Sequence, residues 1–129
     1  MSLAKKSVTK FLNVDLDLRT RHGLEELLTH LEPRAFVLQR TEQFACLELN
    51  EDTKSLEETV LGLVELVQSF APQAREKWNQ CDSRTFSIGI QAGSEPQQAH
   101  FTLSSKALSL LAGIQADVTL TVYAPYESQ

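Results

Sequence analysis

The spacing of apolar residues changes period within the C-terminal stretch 103–123. From Leu103 to Ile114 the apolar residues recur three or four positions apart, which is the spacing of one helix face. From Asp117 to Tyr123 apolar and polar residues alternate instead, as they do in a strand that buries one face. A helix followed directly by a one-sided strand favours a fold in which helices pack on a sheet, and it identifies no ligand and no reaction.

The same two periods continue along the rest of the chain. Alternation and β-prone composition predict further strands at 11–19, 35–40, 43–50 and 85–91. Helical spacing predicts helices at 20–30, 55–70 and 72–80. The resulting order, β-α-β-β-α-(α)-β-α-β, predicts an α+β fold. We expect a two-layer sandwich in which a ferredoxin-like split βαβ order is widened by an added αβ unit.

One-sided alternation also predicts which side chains are buried. In the strand at 11–19, the inward set is expected to be Leu12, Val14, Leu16 and Leu18. Helices should cover one face of a mostly antiparallel sheet, and the other face should be open to water. We therefore expect Leu16, Ile88 and Leu120, from three different strands, to lie buried beneath the helices.

Length and charge limit the classes of protein to which this chain can belong. A chain of 129 residues with 42% hydrophobic and 22% charged residues is typical of a single domain, which we predict over 1–129 with flexible tails at 1–9 and 125–129. The net charge of −5 argues against binding nucleic acid or a membrane surface and suits a basic protein partner. No apolar run is long enough to span a membrane, and no apolar segment follows the N-terminal lysines as in a secretory signal.

The two cysteines bear on the compartment. Cys46 and Cys81 are isolated in the sequence and form neither a CxxC motif nor a zinc-ligand spacing. Such thiols are typical of a reducing compartment, so we predict a cytoplasmic location. We expect no cofactor and no bound metal.

Three stretches of the second half carry a resemblance to known proteins. They are Ser55-Leu56-Glu57-Glu58 at a helix start, Ser87-Ile88-Gly89-Ile90 in a strand, and Phe101-Thr102-Leu103-Ser104 continuing through Leu111-Ala112 to the final strand. Over 53–123 this pattern of apolar positions resembles a family of small bacterial domains of unknown function. The segment 32–43 departs from the family, whose members tend to carry a glycine- and tryptophan-containing stretch there. The resemblance implies a fold and a bacterial source, and it assigns no function and no site residues.

A pair of carboxylates is the first candidate binding feature. Asp15 and Asp17 project from the polar face of the strand at 11–19, about 6.5–7 Å apart at the rise of a strand. Two such carboxylates can bind a divalent cation or act as acid and base, and Glu48 is predicted on the same face. Arg19 on the same stripe can neutralise Asp17. The alternative, which we favour, is a solvated face, because the open side of a one-sided sheet must be polar.

Trp78, the single tryptophan, completes the candidate binding residues. A tryptophan can anchor an interface or close the core, and the second role is the more common one for a lone tryptophan on a helix. The remaining residues offer no catalytic constellation, because the three histidines lack metal-ligand spacing and the sequence places no catalytic base beside Cys46. We therefore assign no catalytic and no metal-binding residue.

These observations favour a non-enzymatic function. The preferred hypothesis is a cytoplasmic bacterial protein-interaction domain, immunity-like or regulatory, that recognises a partner through the open sheet face or an edge strand. One alternative is a small-ligand sensor or enzyme with a pocket between the sheet and the helices. Another is a self-assembling subunit, such as a homodimer, that pairs through its strand edges.

Overall fold

The computed structural model describes residues 7–52 and 55–125. Within them the chain forms five strands and four helices, in this order along the sequence: β1 (Lys10–Arg19), α1 (Leu24–Leu31), β2 (Ala35–Arg40), β3 (Phe44–Leu49), α2 (Leu56–Gln68), α3 (Pro72–Asn79), β4 (Ser83–Gln91), α4 (Ser105–Gly113) and β5 (Asp117–Tyr123). The succession of elements is the one that the apolar spacing predicts.

The five strands form one open sheet in the order β2-β3-β1-β4-β5. All neighbours are antiparallel except β4 and β5, which run parallel and are joined by α4. The predicted α+β class with a mostly antiparallel sheet is confirmed. The more specific ferredoxin-like split βαβ order, widened by an added αβ unit, stays a prediction.

One hydrophobic core lies between the sheet and the helices. In β1 it takes Val14, Leu16 and Leu18, all fully buried, and every helix contributes at least one buried side chain to it. The central helix, α2, contacts both β1 and β3. Its first turn is fixed by Ser55, whose hydroxyl accepts a hydrogen bond from the backbone N–H of Glu58 and so satisfies one of the free amides at the helix start.

Trp78 belongs to this core. Its side chain is fully buried, and its indole N–H donates a 2.7 Å hydrogen bond to the backbone carbonyl of Ile114. The ring also meets Phe70 edge-on, with 6.3 Å between the ring centroids. The core interpretation is therefore confirmed, and Trp78 is removed from the candidate binding residues because it presents no surface to a partner.

A bulge near the start of β1 changes the predicted inward set. The pairing with β4 shifts register between Phe11 and Asn13, so that Phe11 rather than Leu12 lies opposite Ile90. Leu12 is consequently 43% exposed, and its predicted burial is wrong. A bulge adds one residue to one strand, which reverses the facing of every residue before it.

The segment before β1 is tied to the loop after β4. The backbone N–H of Thr9 donates to the carbonyl of Glu95 at 2.7 Å, and Ser7 accepts from Ser94 and Glu95. A Cβ on Gly93 would lie 2.5 Å from the backbone of Val8, so only glycine permits this approach. Residues 7–9, the end of the predicted tail at 1–9, are thus anchored. The rest of that tail, and 126–129 of the tail predicted at 125–129, lie outside the described residues.

The last strand is the main departure from the expected burial. Leu16 and Ile88 are buried as predicted, but Leu120 is 57% exposed and all seven residues of β5 are exposed. Leu120 pairs with Ile88 in the β4–β5 register and so faces the helix side of the sheet. The prediction of its burial is wrong because the helix layer ends at β4 and does not extend over β5.

Candidate functional site

The open face of the sheet brings together the carboxylates that the sequence singles out. Asp15 lies directly opposite Glu48 in the pairing of β1 with β3, and Asp17 lies opposite Cys46. The side-chain amide of Asn13 donates to Asp15 at 2.9 Å and to Glu48 at 3.4 Å. One amide therefore bridges two carboxylates on neighbouring strands.

Asp17 and Arg19 have partners of their own on this face. Asp17 accepts a 2.9 Å hydrogen bond from the hydroxyl of Ser87 on β4. The guanidinium of Arg19 lies over the ring of Phe44, 5.0 Å from its centroid, in a cation–π contact. Non-covalent contacts between side chains consequently connect the three strands β1, β3 and β4 on the open face.

Close packing on this face changes two ionisation equilibria. Partial burial, followed by the negative charges of Glu48 and Asp17, raises the pKa of Asp15 from 3.8 to about 6. Burial and the neighbouring Asp17 raise the pKa of Cys46 from 9.0 to about 12. The thiol is therefore protonated at neutral pH, and a protonated thiol is a poor nucleophile and a poor metal ligand.

This arrangement has limited chemical capacity. In the part of the chain that the structure describes, no group of three or more histidine, cysteine, aspartate or glutamate side chains is placed to hold a metal ion. Donors from within the fold already engage Asp15, Asp17 and Glu48. Their role as binding residues stays a prediction, and the geometry assigns them a structural role within the sheet.

A second surface lies at β5, and it is apolar. Val118, Leu120 and Val122, which we call the β5 surface, are 42%, 57% and 58% exposed. Each lies beside a buried residue of β4, in the pairs Phe86–Val118, Ile88–Leu120 and Ile90–Val122. The β5 surface is thus a continuation of the hydrophobic core that none of the four described helices covers.

The backbone of the same strand presents free hydrogen-bonding groups. The carbonyl of Tyr123 accepts from the backbone N–H of Ala92 at 2.9 Å and so points toward β4. Because successive residues of a strand direct their backbone groups to opposite edges, those of Val118, Leu120 and Val122 point to the outer edge. Among the described residues no strand pairs with that edge.

An apolar cleft of about 610 Å³ lies against the β5 surface. Its other wall is the segment 99–103, and Ile88, Ile90 and Leu56 also line it. The polar side chains at its border are His100 and Thr9. A cleft of this size and composition suits an apolar group, either a side chain or a small molecule.

The wall of this cleft is fixed where it joins α4. Glu57 of α2 accepts a 2.5 Å hydrogen bond from the backbone N–H of Ser104, and this bond lowers the pKa of Glu57. The Ser104 hydroxyl in turn accepts from the backbone N–H of Ala107 and caps α4. The bond to Glu57 holds the end of the segment 99–103 against α2, and the cap fixes the start of α4 directly after it.

The β5 surface is not among the candidate binding residues that the sequence predicts. The alternation of apolar and polar residues at 117–123 gave the correct strand and the correct facing of each side chain. It carried no information on whether a helix covers that face. The period of the strand therefore offers no signal that separates a covered apolar face from an uncovered one.

Among the described residues, no helix combines the length and the apolar character required to cross a bilayer. The resemblance of 53–123 to small bacterial domains stays a prediction. Searches with protein-family models, among curated proteins and among solved structures find no match to this chain.

Proposed function

We propose that this chain is a protein-interaction domain that binds a partner by strand addition at β5. In strand addition an extended segment of the partner pairs with a free sheet edge, so that main-chain hydrogen bonds supply affinity and side-chain contacts supply specificity. We further propose a cytoplasmic bacterial setting and a regulatory or immunity-like role. The bacterial source rests on the sequence resemblance, and the cytoplasmic location rests on two buried cysteines that form no disulfide, which suits a reducing compartment.

The observation that carries the proposal is the composition of the β5 edge. From Val118 to Tyr123 the strand has no charged residue and no proline, and it pairs with β4 without a register shift. Proteins normally protect an exposed edge with charges, prolines or bulges, because a bare edge recruits other strands. An edge that lacks all three, beside an exposed apolar stripe, is suited to receive a partner strand.

The open polar face is a weaker candidate for the same role. Its carboxylates are hydrogen-bonded to Asn13 and Ser87, and Asp15 is partly protonated near pH 6. A basic partner would have to replace those internal bonds before it gained new ones. The acidic face therefore contributes long-range attraction toward a basic partner more readily than a docking site.

Site-specific photo-crosslinking in cells tests the proposal. A photo-reactive amino acid is placed at position 120 on β5 or, as the matched control, at position 38 on β2, where Leu38 is 46% exposed. We expect position 120 to form a covalent adduct with a protein, which mass spectrometry identifies, a second copy of the chain included. Position 38 should form none. The absence of an adduct at 120, or equal adducts from both positions, would contradict the proposal.

The cleft supports a second candidate function, the binding of a small apolar ligand. Its volume of about 610 Å³ lies within the range of roughly 300–1,000 Å³ that is common for ligand pockets. Anilinonaphthalene sulfonate, an apolar dye that fluoresces in such pockets, is a suitable probe. Saturable fluorescence in the wild type that Val122→Asp abolishes is the expected result, whereas a linear, non-saturating signal would rule the site out.

A further inference from the structure

The sequence of the β5 surface reads the same in both directions. From Val118 to Val122 the order is valine, threonine, leucine, threonine, valine, with Leu120 at the centre. A two-fold symmetric interface uses the same surface patch on both subunits. Each residue of the patch must therefore pack against the same residue, or a nearby residue, of the other subunit. A palindromic strand satisfies this condition when two copies pair antiparallel.

We infer that the partner strand at the β5 edge is the β5 of a second copy, paired antiparallel about Leu120. This inference rests on the proposed function, because it names the partner for the same edge. In this register Leu120 lies opposite Leu120 of the other copy, Val118 opposite Val122, and Thr119 opposite Thr121. From 118 to 122, each residue therefore lies opposite a residue of the same type.

The backbone directions of β5 fit this register. The outward-pointing groups belong to Val118, Leu120 and Val122, as the bond between Ala92 and Tyr123 fixes. In an antiparallel pair, opposite residues whose backbone groups face each other exchange two hydrogen bonds. The symmetric register gives three such hydrogen-bonded pairs, with the Leu120 pair at the centre. The two five-stranded sheets then form one continuous sheet.

The side chains fit the same arrangement. Directly opposite residues of an antiparallel pair lie on the same face of the sheet, so the β5 surfaces of the two copies become adjacent on the helix side. Each surface then shields its symmetry mate from water. The charged residue of β5, Asp117, lies opposite Tyr123 of the other copy, so the pairing opposes no two like charges.

A charge-swap experiment tests the inference with purified protein. Leu120→Asp and Leu120→Lys each place two like charges directly opposite each other in the symmetric pair, whereas an equimolar mixture of the two variants places opposite charges there. Sedimentation velocity should give a dimer for the wild type, a dissociation constant at least about tenfold higher for each variant alone, and a dimer again for the mixture. Leu38→Asp, at an exposed residue of the other edge strand, is the matched control and should dimerise like the wild type.

The folded state of each variant is checked by far-ultraviolet circular dichroism. Because Leu120 is 57% exposed, both substitutions should leave the spectrum unchanged. Wild-type protein that stays monomeric up to about 1 mM overturns the inference. So does a dimer that Leu38→Asp disrupts and the Leu120 variants retain. In either case photo-crosslinking from position 120 to a different protein would still support the proposed function, and the absence of any adduct would remove both.

Discussion

The sheet ends at β2 on one side and at β5 on the other, and the two edges are built from different residues. In β2 the register shifts between Val37 and Gln39, and Arg40 at its end pairs with Glu25 of α1. The first residue, Ala35, is buried in the core. The β2 edge therefore carries a β-bulge, a charged residue and an ion pair to α1.

From Val118 to Tyr123 the β5 edge has no bulge, no charged residue and no ion pair to a helix among the described residues. The strand keeps one register with β4 from Asp117 to Tyr123, and none of its residues is buried. Bulges and charges at an edge discourage pairing with other chains. Because β2 carries a bulge and a charged residue whereas 118–123 of β5 carry neither, the comparison supports the proposal that a partner strand pairs with β5.

Introducing a carboxylate at each edge should give the largest difference between them. Ala35→Asp places a carboxylate among buried apolar side chains and should lower the free energy of unfolding by about 3 kcal/mol or more. Val118→Asp leaves its carboxylate in water and should cost less than about 1 kcal/mol. Urea denaturation of dilute protein measures both. Equal losses at the two positions would mean that β5 is covered in solution.

The open face between the two edges gives a pH-dependent effect of intermediate size. With the pKa of Asp15 near 3.8 in the unfolded chain and about 6 in the folded one, the folded state binds more protons between these values. The stabilising contribution of Asp15 to the free energy of unfolding is therefore fully present below pH 3.8. It falls as the pH rises and is lost above about pH 6.

Asp15→Asn removes this dependence and keeps an oxygen that accepts from Asn13. After allowance for solvent screening, the variant should be more stable than the wild type by about 1–2 kcal/mol at pH 7.5, with the advantage gone near pH 4. Urea denaturation across that pH range measures it. Asp117→Asn, at an exposed position of β5, is the control and should stay within about 0.5 kcal/mol of the wild type at pH 7.5. A less stable Asp15→Asn at pH 7.5 would contradict the assigned cause.

Most of the fold could be predicted from apolar spacing because local physics sets it. Alternating apolar and polar residues in β1 and β4 predict one buried face and one solvent-exposed face, and helical spacing of apolar residues in α2 predicts a buried stripe. The spacing therefore predicts which side chains share a face, and that face is buried where other elements pack on it. The bulge that exposes Leu12 could not be predicted in this way, since a register shift depends on how β1 meets β4.

The candidate site could be predicted only in part, for a similar reason. Asp15, Asp17 and Glu48 do share one face, as the strand period requires, but their internal partners Asn13 and Ser87 depend on strand order. For Leu120 the predicted facing is correct and the predicted burial is wrong. Its facing follows from alternation, whereas its exposure depends on how far the helix layer extends, which is a property of the whole fold.

The smallest effect that we predict concerns the charge at the protected edge. Arg40→Ala removes the ion pair with Glu25, and because both side chains are well exposed the loss should be below about 0.5 kcal/mol. If Arg40 guards the β2 edge rather than the stability of the fold, the substitution should instead increase light scattering at high protein concentration, since Phe36 and Leu38 lie exposed beside it. Gln73→Ala, an exposed change on α3, controls for handling. A variant that loses stability without added scattering would show that the pair holds β2 to α1, and that the bulge alone protects this edge.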